Sequence, residues 1–261
     1  MKVVIAGCTK NSASYLRSRL ETLTSIGNLF ETSQILIYEN DSDDNTVAIL
    51  TEFKSTHSNF TFIHEHYVDN KTNSLAHGRN MLLYEISQNY NDYDYMIMVD
   101  LDVVLDKFNP TQILHMFSYT NWDVLTANCN YKYYDIWALR MSKSKWTDFH
   151  AKIWPSPLLH DCWRDVNPRE CIRKYQQEIP MNYPLLEVDS AFNGLGIYKL
   201  SAIVGCRYSP EQIQCEHVSF HRDIVRKGGK IYICPSILVN CEREHIVELY
   251  LPSKKATTLN N

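Results

Sequence analysis

The residues best suited to chemistry are two aspartates, Asp100 and Asp102, which follow the apolar run at residues 95–99. That run is typical of a buried strand, so two like charges stand at a strand end. If the backbone bends there, the carboxylates converge, and one would take up a proton unless a counter-charge is present. A divalent cation supplies that charge. Oxygen ligands favour Mg²⁺ or Mn²⁺, and phosphate oxygens usually complete the coordination shell of these ions. The pair therefore predicts a site for a metal ion and a phosphate ligand, and two solvated aspartates in a loop are the alternative.

Strands and helices alternate along the first hundred residues. The predicted strands are residues 3–6, 34–38, 60–63 and 95–99, and the predicted helices are residues 14–26, 44–55 and 74–88. Such alternation indicates a mainly parallel sheet with helices on both faces, in which ligands bind beyond the carboxyl ends of the strands. The segments that follow three of these strands, G-C-T-K-N-S, E-N-D-S-D-D-N-T and D-L-D, are all polar. Side by side, they would form a binding site, with Gly7, Cys8 and Thr9 as cofactor contacts.

The second half of the chain is less regular. Residues 131–184 are rich in Trp, Tyr and Pro and contain one predicted short helix at 168–177. Further strands are predicted at 192–200 and 228–239, and the polar tail at 253–261 is expected to be loose. We therefore expect one domain over residues 1–252, with the aromatic-rich segment as an insertion over the site.

Composition excludes several classes of protein. The formal net charge is −4, so no basic excess points to nucleic acid as a partner. No apolar run approaches the ~20 residues of a membrane helix, and no signal-peptide core follows Met1, so a cytoplasmic protein is expected. The eight cysteines are then expected to be reduced. Because no C-x-x-C occurs, a structural zinc site has weak support.

Two segments resemble motifs of GT-A glycosyltransferases. Y-E-N-D-S-D-D-N-T at 38–46 is similar to their D-D-x-S-x-D-x-T segment, and H-G-R-N at 77–80 is similar to their x-A-R-N segment. Both precede the D-x-D strand in the order of that family. The resemblance implies a GT-A (Rossmann-like) mixed, mainly parallel sheet flanked by helices, with a nucleotide-sugar-binding half at 1–105 and an acceptor half at 106–252.

The resemblance also implies roles for single residues. Asp102 would bind the metal directly, and Asp100 would contact the ribose, the sugar hydroxyls or the metal through water. Arg79 would reach the base or the diphosphate, with an exposed helix arginine as the alternative. The implied nucleoside contacts are Glu39 and Asp41, and the implied helix caps are Asp43, Asp44 and Thr46.

The segment C-E-H-V-S-F-H-R-D at 215–223 offers a third metal ligand. If it is extended, His217 and His221 share one face. The resemblance implies a late histidine as a ligand of the D-x-D metal, first His217 and then His221, and core or surface histidines are the alternative. Cys215 could instead join both histidines in a zinc site, although no fourth ligand is evident nearby.

The segment E-V-D-S-A-F-N-G-L-G-I-Y-K at 187–199 resembles the acceptor-side loop of these enzymes. In inverting members an acid there is the general base, which makes Asp189 the first candidate and Glu187 the second. Asp189 could instead orient a sugar hydroxyl or cap a turn. A looser similarity to family-2-like enzymes and to capsule-associated mannosyltransferases, a branch that includes retaining enzymes, leaves the stereochemistry open.

These observations predict a glycosyltransferase that uses Mn²⁺ or Mg²⁺ and a nucleotide-diphosphate sugar, with a UDP-sugar favoured, to modify a glycan or other hydroxyl acceptor. The acceptor's sugar rings could stack on aromatic side chains, or these could simply pack in the core: Trp137, Trp146, Trp154 and Trp163. A phosphatase of the haloacid-dehalogenase type would use Asp100 as nucleophile, but no Gly-Asp dipeptide completes its motif set. A non-catalytic carbohydrate-binding protein is the other alternative.

Overall fold

Eight strands form one sheet in the described part of the chain, residues 1–209, 214–241 and 246 of a computed structural model. The strands are β1 (Lys2–Thr9), β2 (Thr32–Asn40), β3 (Phe60–Glu65), β4 (Tyr95–Val99), β5 (Val124–Cys129), β6 (Leu186–Val188), β7 (Leu195–Lys199) and β8 (Ile231–Val239). Their order across the sheet is β3-β2-β1-β4-β7-β5-β8-β6. The neighbours among β1, β2, β3 and β4 are parallel, as are β5 and β8, whereas β7 and β6 run antiparallel to their neighbours. The predicted mixed, mainly parallel α/β fold is confirmed.

Helices cover both faces of the sheet. They are α1 (Leu16–Gly27), α2 (Thr46–Thr56), α3 (Lys71–Asn89), α4 (Gln112–Met116), α5 (Asp148–Ile153), α6 (Pro168–Tyr175), α7 (Leu200–Ile203) and α8 (Glu216–Arg226). Leu16, Leu20 and Leu23 of α1 pack with α2 and α4 against one face. The apolar residues of α3, α6 and α8 pack on the other face, where Leu82 and Phe220 are fully buried. The longer helices α1, α3 and α8 therefore each bury one side against the sheet, as amphipathic helices on a sheet must.

The extended conformation considered for 215–223 does not occur, because α8 begins at Glu216 and continues to Arg226. The alternating His217, Ser219 and His221 suggested a strand, yet the helical spacing of His217, His221 and Ile224 decides the structure. All three side chains are buried, as residues on one helix face should be.

Two strands were not predicted. Every residue of β5 is buried, including the polar Thr126 and Asn128, so its sequence is not the continuous apolar run that marks a fully buried strand. β6 has only three residues, which is too short for a periodic signal. Both strands lie in the acceptor half, where the sequence is irregular.

Cys162 and Cys171 form a disulfide, so the prediction of reduced cysteines is wrong for this pair. They lie nine positions apart in the sequence, yet the turn at Cys162–Arg164 and the start of α6 bring their Cα atoms within 5.3 Å. That Cα distance is normal for a disulfide. The sequence could not show it, because the fold of the insertion creates the proximity.

None of the described helices combines the length and the hydrophobicity that crossing a membrane requires. The predicted tail at 253–261 lies outside the described residues, and the domain bounds remain a prediction.

Candidate active site

The loops after β1 and β2 are tied together by hydrogen bonds through Asn11. Its backbone N–H donates to Ser42 Oγ (2.8 Å), and its Oδ1 accepts from the backbone N–H of Asp43 (2.9 Å). Asn11 has a positive φ of 50°, a conformation that asparagine tolerates better than most residues. No sequence motif marked Asn11, although Asn after a strand is a turn signal. The two loops thus form one connected rim at the carboxyl ends of the strands.

Asp44 and Thr46 fix the start of α2 against the first loop. Asp44 accepts the backbone N–H of Thr46 (2.9 Å) and that of Ala13 (3.0 Å). Thr46 Oγ1 accepts the backbone N–H of Ser12 (2.8 Å). The hydrogen bonds from Thr46 are the main cause that lowers the pKa of Asp44.

Glu39 and Asp41, the implied nucleoside contacts, are both engaged within the protein. Glu39 is fully buried, accepts the backbone N–H of Ser42 (2.8 Å) and contacts the His64 ring. Asp41 has a positive φ of 52° and pairs with His66 (2.5 Å) on the exposed rim. In this conformation Glu39 orders the loop, and Asp41 is the more accessible of the two to a nucleoside.

Gly7, Cys8 and Thr9 lie at the end of β1, beneath the D-x-D segment. A Cβ on Gly7 would stand 2.7 Å from Val99 O, so only glycine permits this approach of β1 to the end of β4. Burial raises the pKa of the Cys8 thiol to about 12. Thr9 is hydrogen-bonded to Ser12. Gly7 thus allows the close approach of β1 to the D-x-D segment, and contact of the three residues with a cofactor remains a prediction.

Arg79 is buried and holds Asp100 in place. Its Nη2 donates to Asp100 Oδ1 at 2.9 Å, and its other terminal nitrogen pairs with Glu216 at the start of α8. Asp100 is also fixed through its backbone, whose N–H donates to Gly194 O (2.8 Å). The exposed-arginine alternative is wrong, since Arg79 is only 3% exposed.

Gly78, beside Arg79, explains how α3 comes close enough. A Cβ at this position would lie 2.5 Å from the ring of Tyr38, so any larger residue would push the helix off β2. The motif at 77–80 therefore contains a packing residue and an ion-pairing residue next to each other.

The carboxylate of Asp102 is less engaged than that of Asp100. Within the described residues it accepts one hydrogen bond, from the backbone N–H of Val104 (3.1 Å). Its second oxygen is left for a ligand. The two aspartates are thus unequal: Asp100 is held by an arginine, and Asp102 is held only by its own turn.

Asp135 is a third carboxylate at this site, and sequence reasoning missed it. It accepts the backbone N–H of Asn193 (2.9 Å) and that of Ala138 (3.2 Å). Burial raises the pKa of Asp100 to about 7, Arg79 opposes the rise, and the carboxylates of Asp102 and Asp135 add to it. One third of the Asp100 side chain is still exposed to solvent. The rise in its pKa therefore comes from partial burial. No motif marks Asp135 in the sequence, because it follows no predicted strand.

His217 lies in an aromatic pocket next to Arg79. Its ring stacks on Phe192 with centroids 3.8 Å apart and meets Tyr208 edge-on at 5.3 Å. The Arg79 guanidinium lies 5.4 Å from the centroid of the same Phe192 ring. Burial lowers the pKa of His217 well below its usual value, so the imidazole is neutral. Both ring nitrogens are buried without a hydrogen-bond partner among the described residues, a costly arrangement that indicates a ligand.

His221 is used differently from His217. Its Nδ1 is hydrogen-bonded to Ser190 Oγ (2.9 Å) and its Nε2 to the Tyr198 hydroxyl (3.1 Å). A histidine with both nitrogens engaged has no lone pair to offer a metal without breaking a buried bond. The core-histidine alternative therefore fits His221, and we do not propose it as a ligand.

Asp189 and Glu187 converge on Lys145. Lys145 Nζ lies 3.2 Å from Asp189 Oδ1 and 3.6 Å from Glu187 Oε1, and it donates to Val188 O (2.9 Å). Asp189 also accepts the backbone N–H of Ser142. The candidate base is thus oriented from two sides, and Lys145 is a residue that sequence reasoning missed.

The four candidate tryptophans differ in access. Trp154 is buried and donates to Tyr175 O (2.9 Å), so it packs in the core. Trp163 is 48% exposed and lies 6.3 Å, centroid to centroid, from the Trp137 ring. Because Trp163 is exposed and Trp154 is buried, Trp163 is the better candidate of the two for stacking on an acceptor sugar.

Comparison with known protein families adds to this geometry. A model described as "Glycosyl transferase family 2" matches residues 4–171, more than half of the chain. The chain belongs to glycosyl transferase family 2. The matched residues include both loops of the rim, the D-x-D segment and Asp135. Among curated proteins, none matches the chain.

Solved structures of glycosyltransferases have the same fold as this chain. The mannosyltransferase PcManGT from Pyrobaculum calidifontis, in complex with GDP-Man and Mn²⁺, has a TM-score of 0.55 at 12% identity, covering 92% of this chain and 56% of that one. Residues 1–349 of S. aureus TarS, in complex with UDP-GlcNAc, have a TM-score of 0.55 at 14% identity, covering 96% and 62%. The chain therefore spans less than two thirds of the length of either protein, and at these identities the likeness concerns the fold.

Proposed function

We propose that this chain is a metal-dependent glycosyltransferase that moves a sugar from a nucleotide-diphosphate sugar to a glycan or other hydroxyl acceptor. The observation that carries the proposal is the pair of carboxylates at the carboxyl end of β4, with Asp100 held by Arg79 and Asp102 close enough to raise the pKa of Asp100. Family membership supports a transferase over the phosphatase alternative.

The donor set fits a divalent cation. Asp102 has an oxygen left for a ligand, and His217 is neutral, the form in which imidazole binds metals. A ligand on either ring nitrogen of His217 would satisfy a buried polar atom that has no hydrogen-bond partner among the described residues, where the nearest carboxylate oxygen, of Glu216, lies 3.9 Å from Nε2. Mn²⁺ or Mg²⁺ held by these two residues would neutralise negative charge on the leaving nucleotide diphosphate.

The remaining residues act by holding and orienting. Arg79 keeps Asp100 in one orientation, so that its free oxygen faces a sugar or ribose hydroxyl. Asp135 fixes the turn that contains Asn193, next to the Gly194 carbonyl that binds the Asp100 backbone. We therefore assign Arg79 and Asp135 to positioning rather than to contact with the donor.

Asp189 is the proposed general base of an inverting reaction. Lys145 and the Ser142 amide hold the carboxylate in a fixed direction, which favours proton transfer from a bound hydroxyl. Glu187 is the second candidate, although it shares Lys145 at a longer distance.

A UDP-sugar is the proposed donor. Structures with the same fold contain UDP-GlcNAc in one case and GDP-Man in another, so GDP-mannose is the competing donor. A direct test is to incubate the chain with Mn²⁺ and a panel of nucleotide sugars and to measure release of the nucleoside diphosphate. We expect release from a UDP-sugar, and none once the metal is chelated. Equal release with and without chelator would contradict the metal dependence, and release from GDP-mannose alone would replace the proposed donor.

Asp189→Asn is expected to reduce turnover about 100-fold or more, because the amide cannot accept the acceptor proton. Donor affinity should be unchanged, since Asp189 contacts neither Asp100 nor Asp102 in the described residues. Steady-state rates and donor titration on the same preparation check both expectations. Glu187→Gln is the matched control, and a larger loss in that variant would transfer the base role to Glu187.

A further inference from the structure

Four metal-binding side chains converge in the insertion, away from the D-x-D site. They are His160, Cys162, Asp165 and Cys171, all within twelve consecutive residues. The ligand atoms of His160, Asp165 and Cys171 lie within 4.8 Å of one another, and the sulfur of Cys162 is bonded to that of Cys171. A turn contributes Cys162, α6 contributes Cys171, and the chain on either side of the turn contributes the other two.

The spacing of these atoms matches a tetrahedral zinc site. His160 Nε2 lies 3.2 Å from Asp165 Oδ2 and 3.9 Å from Cys171 Sγ. Zinc bonds of ~2.1 Å to nitrogen or oxygen and ~2.3 Å to sulfur give edges of about 3.4 Å and about 3.6 Å in a regular tetrahedron. The His160–Asp165 and His160–Cys171 distances are therefore each within a few tenths of an ångström of a tetrahedral edge, and the Asp165–Cys171 distance is at most 4.8 Å. The two sulfurs, once reduced, would need to separate to about 3.8 Å.

The carboxylate of Asp165 is already oriented toward His160, and the two sulfurs lie on the buried side of the cluster. Asp165 Oδ1 accepts the backbone N–H of Asn167 (3.0 Å), which turns Oδ2 toward His160. Cys162 is fully buried and Cys171 nearly so, whereas His160 and Asp165 face solvent. An ion would enter from the solvent side and meet the sulfurs behind.

We infer that the reduced chain binds Zn²⁺ through His160, Cys162, Asp165 and Cys171, and that the disulfide and the zinc site are alternative states of one cysteine pair. Two thiolates with an imidazole and a carboxylate suit zinc, and they complete four ligands with no open position. Mn²⁺ and Mg²⁺ prefer oxygen ligands, so the ion proposed for the D-x-D site would not compete here.

The conversion of the disulfide into the zinc site takes place in two steps, reduction and metal binding. A dithiol reductant supplies two electrons and two protons, the Cys162–Cys171 bond breaks to give two thiols, and the reductant becomes a disulfide. Zn²⁺ then displaces the two thiol protons to solvent. His160 binds the ion through the lone pair of Nε2, so its hydrogen bond to Asp165 is lost. One bond from His160 to the ion and one from Asp165 to the ion replace it. Either state closes the loop that presents Trp163 beside Trp137, so the insertion keeps its fold under both redox conditions.

The test uses the full chain, reduced with a dithiol that is then removed under anaerobic conditions, and titrated with Co²⁺ as a spectroscopic probe for zinc. We expect one equivalent of Co²⁺ to give thiolate-to-cobalt charge-transfer absorption in the near ultraviolet, and Zn²⁺ to abolish it by displacement. Cys162→Ser should remove the band, and Cys206→Ser, a buried cysteine outside the cluster, should keep it.

His160→Ala tests the site without touching the core, because this side chain is 56% exposed. Its zinc affinity should fall by more than the 10–100-fold typical of losing an outer-shell partner, and the exposed His115→Ala should leave the affinity unchanged. Two results would each overturn the inference. One is a reduced chain that shows no thiolate-to-cobalt band, and the other is a chain prepared under these conditions that still keeps the disulfide by mass.

Discussion

Asp102→Asn is expected to weaken metal-dependent binding of a nucleoside diphosphate by about 100-fold or more. The substitution removes a charged ligand of the proposed ion, and losing even an outer-shell partner typically costs 10–100-fold in metal affinity. The fold should not change, because an asparagine oxygen can still accept the Val104 amide. Titration calorimetry with the nucleoside diphosphate, in Mn²⁺ and then in chelator, measures the effect.

Asp100→Asn is the matched control for this prediction. One carboxylate oxygen of Asp100 already accepts a hydrogen bond from Arg79. Replacing Asp100 should therefore weaken nucleotide binding less than replacing Asp102 does. An effect of Asp102→Asn equal to or smaller than that of Asp100→Asn would contradict the division of roles between the two aspartates.

Arg79→Met is expected to lower the free energy of unfolding by about 3–5 kcal/mol, the usual cost of breaking a buried ion pair by removing one partner. The substitution leaves Glu216 uncompensated, with a side chain only 3% exposed. Asp100, which is one-third exposed, would contribute less to the loss. Methionine keeps much of the packing of the arginine on Phe192 and Tyr208. Urea denaturation followed by circular dichroism checks the value.

A second substitution separates the charge effect from a packing effect. In the Arg79→Met, Glu216→Gln double variant no buried charge is stranded at α8, so part of the lost stability should return. Arg17→Met is the control arginine, because its pair with Glu52 is exposed and surface pairs contribute little. A loss from Arg79→Met no greater than that from Arg17→Met would contradict the proposed positioning role.

The first hundred residues of the fold were predictable from local pattern. The strand at 95–99 has the bounds of β4 in the structure, and the helix predicted at 14–26 corresponds to α1. These segments carry strong apolar periodicity, and the polar loops between them had to meet at one edge of a parallel sheet. The resemblance to GT-A glycosyltransferases followed from short motifs, and their order along the chain can be read directly from the sequence.

The partners within the site were not predictable in the same way. Arg79 pairs with Glu216 across 137 residues, and no motif joins them. Asp135 reaches the site from a segment without regular periodicity, and His217 and His221 differ only in their neighbours. Tertiary packing decides which of two similar histidines keeps its nitrogens for a ligand, and sequence spacing cannot express that.

The central claim is that Asp102 and His217 hold a metal ion that binds a nucleotide diphosphate. A thermal-shift measurement with UDP, with and without Mn²⁺, tests it most directly. Ligand at 100 times its dissociation constant stabilises by about 2.7 kcal/mol, which corresponds to a rise in Tm of roughly 5–10 °C for a domain of this size. We predict that rise with UDP and Mn²⁺ together, and its loss in chelator and in Asp102→Asn. An equal rise without metal, or no rise with any nucleoside diphosphate, would contradict the account.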